Sequence, residues 1–201
     1  MRDEVRRRCE LLIQNRDTMQ EAFKWGNGLL NLSAAYMITS KERRASVAQL
    51  KQCKELGYLT KLDTNGTNPQ VLRQLLEANL PDYVAMDIKN SPSMYAQTCG
   101  IPYMDMDPIE ESIQYLVSSS LPYEFRTTLV HPLHSDNSIL EMGKWLSSLV
   151  PEKKPEKLFL QRFQDRDTVV FAGFAAPSED DILRWKAMLA PYVQDVVIRG
   201  K

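Results

Sequence analysis

The sequence predicts an α/β fold in which repeated βα units surround a parallel sheet. Three observations carry that expectation. From about residue 58, short apolar or β-branched runs alternate with amphipathic runs at helical spacing. The connections between them are short, which favours one compact unit over a chain of modules. Most of the strand-like runs end on a polar or charged residue, and the C-terminal ends of strands are where α/β folds place their ligands.

The strands are expected at Tyr58–Asp63, Asp82–Lys89, Tyr123–Val130, Lys157–Phe163 and Asp195–Arg199. Between them, Leu72, Leu75 and Leu76 share one helical face. Ile109, Ile113, Leu116 and Val117 do the same, followed by Met142, Trp145, Leu146 and Leu149, and then by Ile182, Trp185, Met188 and Leu189. Asn68 before Pro69 reads as a helix start, and Ser178 three residues before Asp181 reads as a cap-like pair. Pro151 and Pro155 separate a helix from the next strand. Val47–Leu56 reads as a helix ended by Gly57. Residues 1–44 show no sustained periodicity, and Leu29–Thr39 fits a strand or the middle of a helix equally.

At 201 residues and 43% hydrophobic, the chain can bury a core of its own. No apolar run approaches the roughly 20 residues that cross a bilayer, and the charged Met1–Arg8 is not followed by a signal-like stretch. A cytoplasmic location with no membrane partner is the expectation. The net charge of −1 gives no global attraction to nucleic acid. Residues 1–52 hold ten basic against six acidic side chains, a net of +4, whereas the remainder holds fifteen against twenty, a net of −5. Cys9, Cys53 and Cys99 lie more than forty residues apart and make neither a disulfide framework nor a metal-ligand pair. His131 and His134 lack a nearby third ligand and are expected to be structural or surface residues.

The densest chemical signal is Lys61-Leu62-Asp63-Thr64-Asn65-Gly66-Thr67, where a strand delivers a carboxylate, a hydroxyl and an amide to a glycine turn. Ala85-Met86-Asp87-Ile88-Lys89 follows, and period-two alternation puts Asp87 and Lys89 on one face, Met86 and Ile88 on the other. In Glu124-Phe125-Arg126-Thr127-Thr128, Arg126 offers a fork for a carboxylate. Residues of these types also form turns and solvated ion pairs. Three such sets on successive strands favour a shared site, because charge inside a barrel is costly unless paired or used.

The run CKELGYLTKLDTNGTNPQVLRQLLEANLPDYVAMDIK, from Cys53 to Lys89, resembles the middle of a radical S-adenosylmethionine (SAM) activating enzyme. The segments YEFRTTLVHPLH, LFLQRFQ and VVIRG resemble the branch that activates the anaerobic ribonucleoside-triphosphate reductase. The resemblance covers essentially everything after residue 50. It implies residues 51–201 as the C-terminal two-thirds of a partial (β/α)6 barrel, an open parallel sheet with outer helices whose first strands are missing or altered. Residues 1–50 would then be an atypical segment. It implies that Asp63, Thr64 and Asp87 lie near the SAM methionyl group, that Lys89 and Arg126 contact its carboxylate or ribose, and that Gln161 lies towards the adenosine. Asn65 belongs to the same DTNG run. The implied partner is the glycyl-radical subunit of the reductase, with flavodoxin or ferredoxin as electron donor.

Two family elements are absent from the sequence. There is no CxxxCxxC run to hold the [4Fe-4S] cluster, and Ile38-Thr39-Ser40-Lys41-Glu42-Arg43 stands where an ITGGEP run is expected, preceded by Gly28-Leu29-Leu30. The change of rhythm near residue 50 favours a degenerate or misread N-terminal part, and a chain inactive as it stands. The competing readings are a Schiff-base lyase or aldolase that uses Lys89 with Asp87 or Asp63, and a non-catalytic remnant that binds SAM or the partner.

Overall fold

The computed structural model describes residues 34–35, 50–51, 53–164 and 173–200. The expectations for residues 1–33 and 36–49, including Cys9, Gly28 and the Ile38–Arg43 run, lie outside the described residues. Six parallel strands form one sheet: β1 (Ala34–Ala35), β2 (Lys61–Thr64), β3 (Tyr83–Asp87), β4 (Tyr123–Leu129), β5 (Lys157–Arg162) and β6 (Asp195–Arg199). Their order in space is their order in sequence. The expected α/β architecture, an open parallel sheet with helices, is the one observed. The undecided Leu29–Thr39 run contributes β1, which pairs with β2 through Ala34 opposite Leu62 and Ala35 opposite Asp63.

Among the described residues, five helices lie between the strands: α1 (Pro69–Glu77), α2 (Pro92–Thr98), α3 (Asp107–Ser118), α4 (Asp136–Ser148) and α5 (Glu179–Leu189). Asn68 caps α1 by accepting the Val71 N–H at 3.4 Å, with Pro69 in the first turn, where its missing N–H costs nothing. A reciprocal capping box joins Ser178 and Asp181 at the start of α5. A helical turn ahead of β2 ends at Gly57, whose φ of +81° lets the Tyr58 N–H reach back to Cys53 O and the Gly57 N–H to Lys54 O. The apolar helix faces named above pack on Val84, Met86, Ile88, Phe125, Leu129, Leu158 and Leu160, every one fully buried.

Strands covered by helices on both faces read as unbroken apolar runs. Here they alternate, because among the described residues the helices pack on one face. Val84, Met86, Phe125 and Leu160 lie on that face, while Lys61, Asp63, Tyr83, Asp87, Glu124, Arg126, Gln161 and Arg199 occupy the other. Among the described residues, no helix is long and apolar enough to cross a membrane.

Two strands are shorter than the sequence predicts by two residues or more, and β4 and β5 by one each. The first starts at Lys61 rather than Tyr58, because Asp82 accepts the Thr60 N–H at 2.7 Å and turns that segment into a brace between two strand starts. The second runs only from Tyr83 to Asp87. Helix α2 is not anticipated by periodicity, since among its seven residues only Tyr95 is buried.

Candidate functional site at the strand ends

Period-two geometry brings Asp63, Asp87 and Arg126 to one face at the C-terminal ends of three neighbouring strands, with Lys89 just beyond. Arg126 bridges two strands: its Nη1 lies 3.1 Å from Asp63 Oδ1, its Nη2 2.9 Å from Asp87 Oδ1, and its Nε donates to the same Asp87 oxygen at 3.1 Å. Lys89 Nζ donates to Asp87 Oδ2 at 3.1 Å. The four groups alternate in sign and sum to zero. Asp63 and Arg126 are well buried, at 11% and 18% side-chain exposure, whereas Lys89 reaches solvent at 41%. Arg126 Nη1 approaches Asp63 Oδ1 off the hydrogen-bonding line and Lys61 Nζ stands 4.0 Å away, so this buried oxygen has two ionic neighbours but accepts no hydrogen bond. A buried acceptor in that state is open to a donor from a ligand.

Deeper on the same face lies a second cluster, centred on Glu124 at 3% side-chain exposure. Its carboxylate accepts from Lys61 Nζ at 3.2 Å, Tyr83 Oη at 3.0 Å and both terminal nitrogens of Arg199 at 3.2 Å. Burial works to raise the Glu124 pKa, but Arg199, Tyr83 and Lys61 together hold it below the ordinary carboxyl value. The Tyr83 hydroxyl is pushed up to about 12 by burial and then by the Glu124 charge it donates to. The Arg199 guanidinium stacks 3.5 Å from the Phe159 ring centroid. Both clusters cross β3 where Ala85, in register with Asp63 on one side and Glu124 on the other, contributes only a methyl group. The same alternation that singles out Asp87 also points to Lys61, Tyr83 and Glu124. Followed one turn of the pleat further back, it finds this cluster.

The other candidate residues sit differently. Thr64 Oγ1 accepts the Gly66 N–H at 3.1 Å, and Asn65 Oδ1 accepts from the N–H and hydroxyl of Thr67 at 3.1 and 2.8 Å. Their oxygens shape the glycine turn and are not part of the ion-paired quartet. Gly66 itself takes φ +76°, and a Cβ there would sit 2.0 Å from Met86 Cε. Gln161, opposite Thr128 and Arg199 in the sheet register, lines an open cavity of about 340 Å³ with both of them, Arg162, Phe163, Gln164 and Gly200.

The quartet fits the amino-acid end of SAM. It offers an acceptor without a hydrogen bond for an ammonium group and cations for a carboxylate, in a partly desolvated setting. An iron–sulfur cluster does not fit this donor set. Among the described residues no three His, Cys, Asp or Glu side chains converge, and burial pushes the Cys99 thiol above its ordinary value, away from the thiolate that iron requires. A Schiff-base lysine needs a desolvated apolar pocket or a neighbouring cation. Lys89 has instead a carboxylate partner and solvent.

No family model matches the chain. The chain is 26% identical over 164 residues to a protein of Methanocaldococcus jannaschii provisionally named a glycyl-radical enzyme activating enzyme. That match covers 79% of this chain, which spans 65% of the relative's length. Its fold is similar to a domain of pyruvate-formate lyase-activating enzyme from Bacteroides vulgatus, at a TM-score of 0.64 and 19% identity. The likeness covers 80% of this chain and 92% of that one. Both findings agree with the resemblance drawn from the DTNG and DIK runs.

Proposed function

We propose that this chain is the SAM-holding part of a glycyl-radical enzyme activating protein of the anaerobic ribonucleoside-triphosphate reductase branch. The observation that carries the reading is the alternating Asp63–Arg126–Asp87–Lys89 array with its buried Asp63 oxygen that accepts no hydrogen bond. Bound SAM supplies a reductively cleavable sulfonium, the source of a radical that takes a hydrogen from a glycine of the partner enzyme. What this chain's own residues supply is grip. Asp63 and Asp87 accept from the ammonium and offset the sulfonium charge, Arg126 and Lys89 take the carboxylate, and Gln161 with Thr128 receives the adenosine in the cavity at the ends of β4–β6.

The branch assignment rests on the FRTT, LQRF and VVIRG segments. It brings with it the glycyl-radical reductase subunit as partner and a flavodoxin or ferredoxin as electron source. Because these 201 residues contain no CxxxCxxC run, the chain is inactive by itself and binds the cofactor without cleaving it.

Calorimetric titration with SAM tests the reading. Saturable binding is expected, weakened about tenfold or more, equivalent to about 1.4 kcal/mol, by Asp63→Asn and by Arg126→Leu in variants that keep their circular-dichroism spectrum. Absence of saturable binding to the folded wild-type chain overturns the assignment. Formation of 5′-deoxyadenosine after anaerobic supply of iron and sulfide overturns the inactivity.

A further inference from the structure

Strand β3 stops at Asp87, yet one of the two cations that pair with Asp87 belongs to Lys89, two residues past the last regular strand position. One more sheet-like bond follows, from the Ile88 N–H to Arg126 O at 2.8 Å. Beyond it two polar side chains take over, both buried to 1% exposure or less. His134 contacts the Lys89 carbonyl through Nε2 at 3.0 Å, and Asn90 Nδ2 donates to Leu133 O at 2.8 Å and to Thr98 Oγ1 at 3.0 Å.

The Lys89 carbonyl can only accept, and it faces Nε2, so the His134 ring carries a proton on Nε2. Nδ1 meets both the Val130 N–H at 3.1 Å, which can only donate, and the Val130 carbonyl at 3.2 Å. The shorter contact, with the N–H as donor, favours the neutral ring. Burial favours the same state by lowering the His134 pKa. The ring is a rigid spacer that fixes where β3 ends relative to the loop after β4. Burying an imidazole and a carboxamide beside an apolar core is costly unless every polar atom is partnered, and here the contacts tie Lys89 and Asn90 to the loop after β4 at His134 and Leu133.

We propose that His134 is a positioning residue for the Asp87–Lys89 pair: its Nε2–H holds the Lys89 carbonyl, and so places the Lys89 ammonium beside Asp87 and the ligand. This rests on the SAM-binding reading, and its test includes a measurement that needs no ligand. Glutamine reproduces the Nε2 donor and loses the Nδ1 acceptor, whereas asparagine reproduces only the Nδ1 side. In ¹⁵N spectra of the wild-type chain, Nε2 should carry the proton and show coupling across the hydrogen bond to the Lys89 carbonyl carbon. In His134→Gln the order of the Lys89 side chain, read by ¹³Cε relaxation, and the SAM affinity should stay within about threefold of wild type. In His134→Asn, Lys89 should become mobile and affinity should fall tenfold or more, while both variants remain folded.

Wild-type Lys89 order in the asparagine variant, or equal loss in both variants, overturns the proposal. If the wild-type chain binds no SAM but Lys89 order still follows the Gln/Asn pattern, the positioning role stands and the ligand assignment falls.

Discussion

Replacing Gly66 with alanine tests the turn that follows Asp63, and its cost separates into two parts. The backbone at Gly66 has φ +76°, a left-handed conformation that costs a residue with a Cβ about 1–2 kcal/mol. The new methyl group would also lie 2.0 Å from Met86 Cε and 3.1 Å from its Sδ. Met86 is flexible but fully buried, so it yields only by pushing on its neighbours, at an overpacking cost of about 1–3 kcal/mol. The Gly66→Ala chain should lose about 2–5 kcal/mol in urea unfolding, the sum of those two ranges. A double-mutant cycle divides the loss. In a Met86→Ala background the clash is gone, and the same glycine substitution should cost only the backbone part, about 1–2 kcal/mol. Equal costs in the two backgrounds would refute the clash. A cost below about 0.5 kcal/mol in both, well under the left-handed penalty, would refute the conformational reading as well.

Two further perturbations address charge and capping. Glu124→Gln leaves Lys61 and Arg199 facing each other without the carboxylate between them. Removing one partner of a fully buried pair costs about 3–5 kcal/mol, and because Lys61 and Arg199 are partly exposed, about 2 kcal/mol is expected in urea unfolding at neutral pH. Glu124 is depressed in the folded state, so its stabilisation is complete above the ordinary value of 4.5 and is lost as pH falls through the folded value. The variant should lack that part of the acid-unfolding limb, and an unchanged limb would count against the cluster. Ser178→Ala removes the side-chain acceptor of the Asp181 N–H, and the melting curve should report a loss of about 1 kcal/mol.

Much of this fold is legible in the sequence because a parallel sheet with one polar face writes a period-two pattern into every strand. Asp195–Arg199 is found to the residue, and the helix faces at Ile109–Val117 and Ile182–Leu189 pack as their spacing predicts. Strand limits are less legible where a side chain substitutes for the ladder: Asp82 holds Thr60 and shortens β2, while His134 and Asn90 hold the residues after β3. Helix α2 escapes notice because seven residues with one buried side chain give no periodicity, although Ser91-Pro92 carries the start signal. The Asp63, Asp87, Lys89 and Arg126 grouping follows from alternation alone. That Thr64 and Asn65 turn their oxygens to the Gly66 loop does not, since a hydroxyl or amide after a strand serves ligand and turn equally well.

Ala85 gives the sheet a property that no single contact reveals. It is a small residue at the centre of a buried strand, a position where propensity alone recommends valine or isoleucine. What it contributes is clearance. Lys61 reaches Glu124 and Arg126 reaches Asp63 across β3 on the face where Ala85 presents only a methyl group, so the spans from β2 to β4 depend on a side chain that neither of them bonds. A branched residue there would raise strand preference while severing two ionic tie-rods at once. The position is therefore constrained by what passes over it, and a survey of tolerated residues at 85 would read out the passage of those spans more directly than substitutions at the charges themselves.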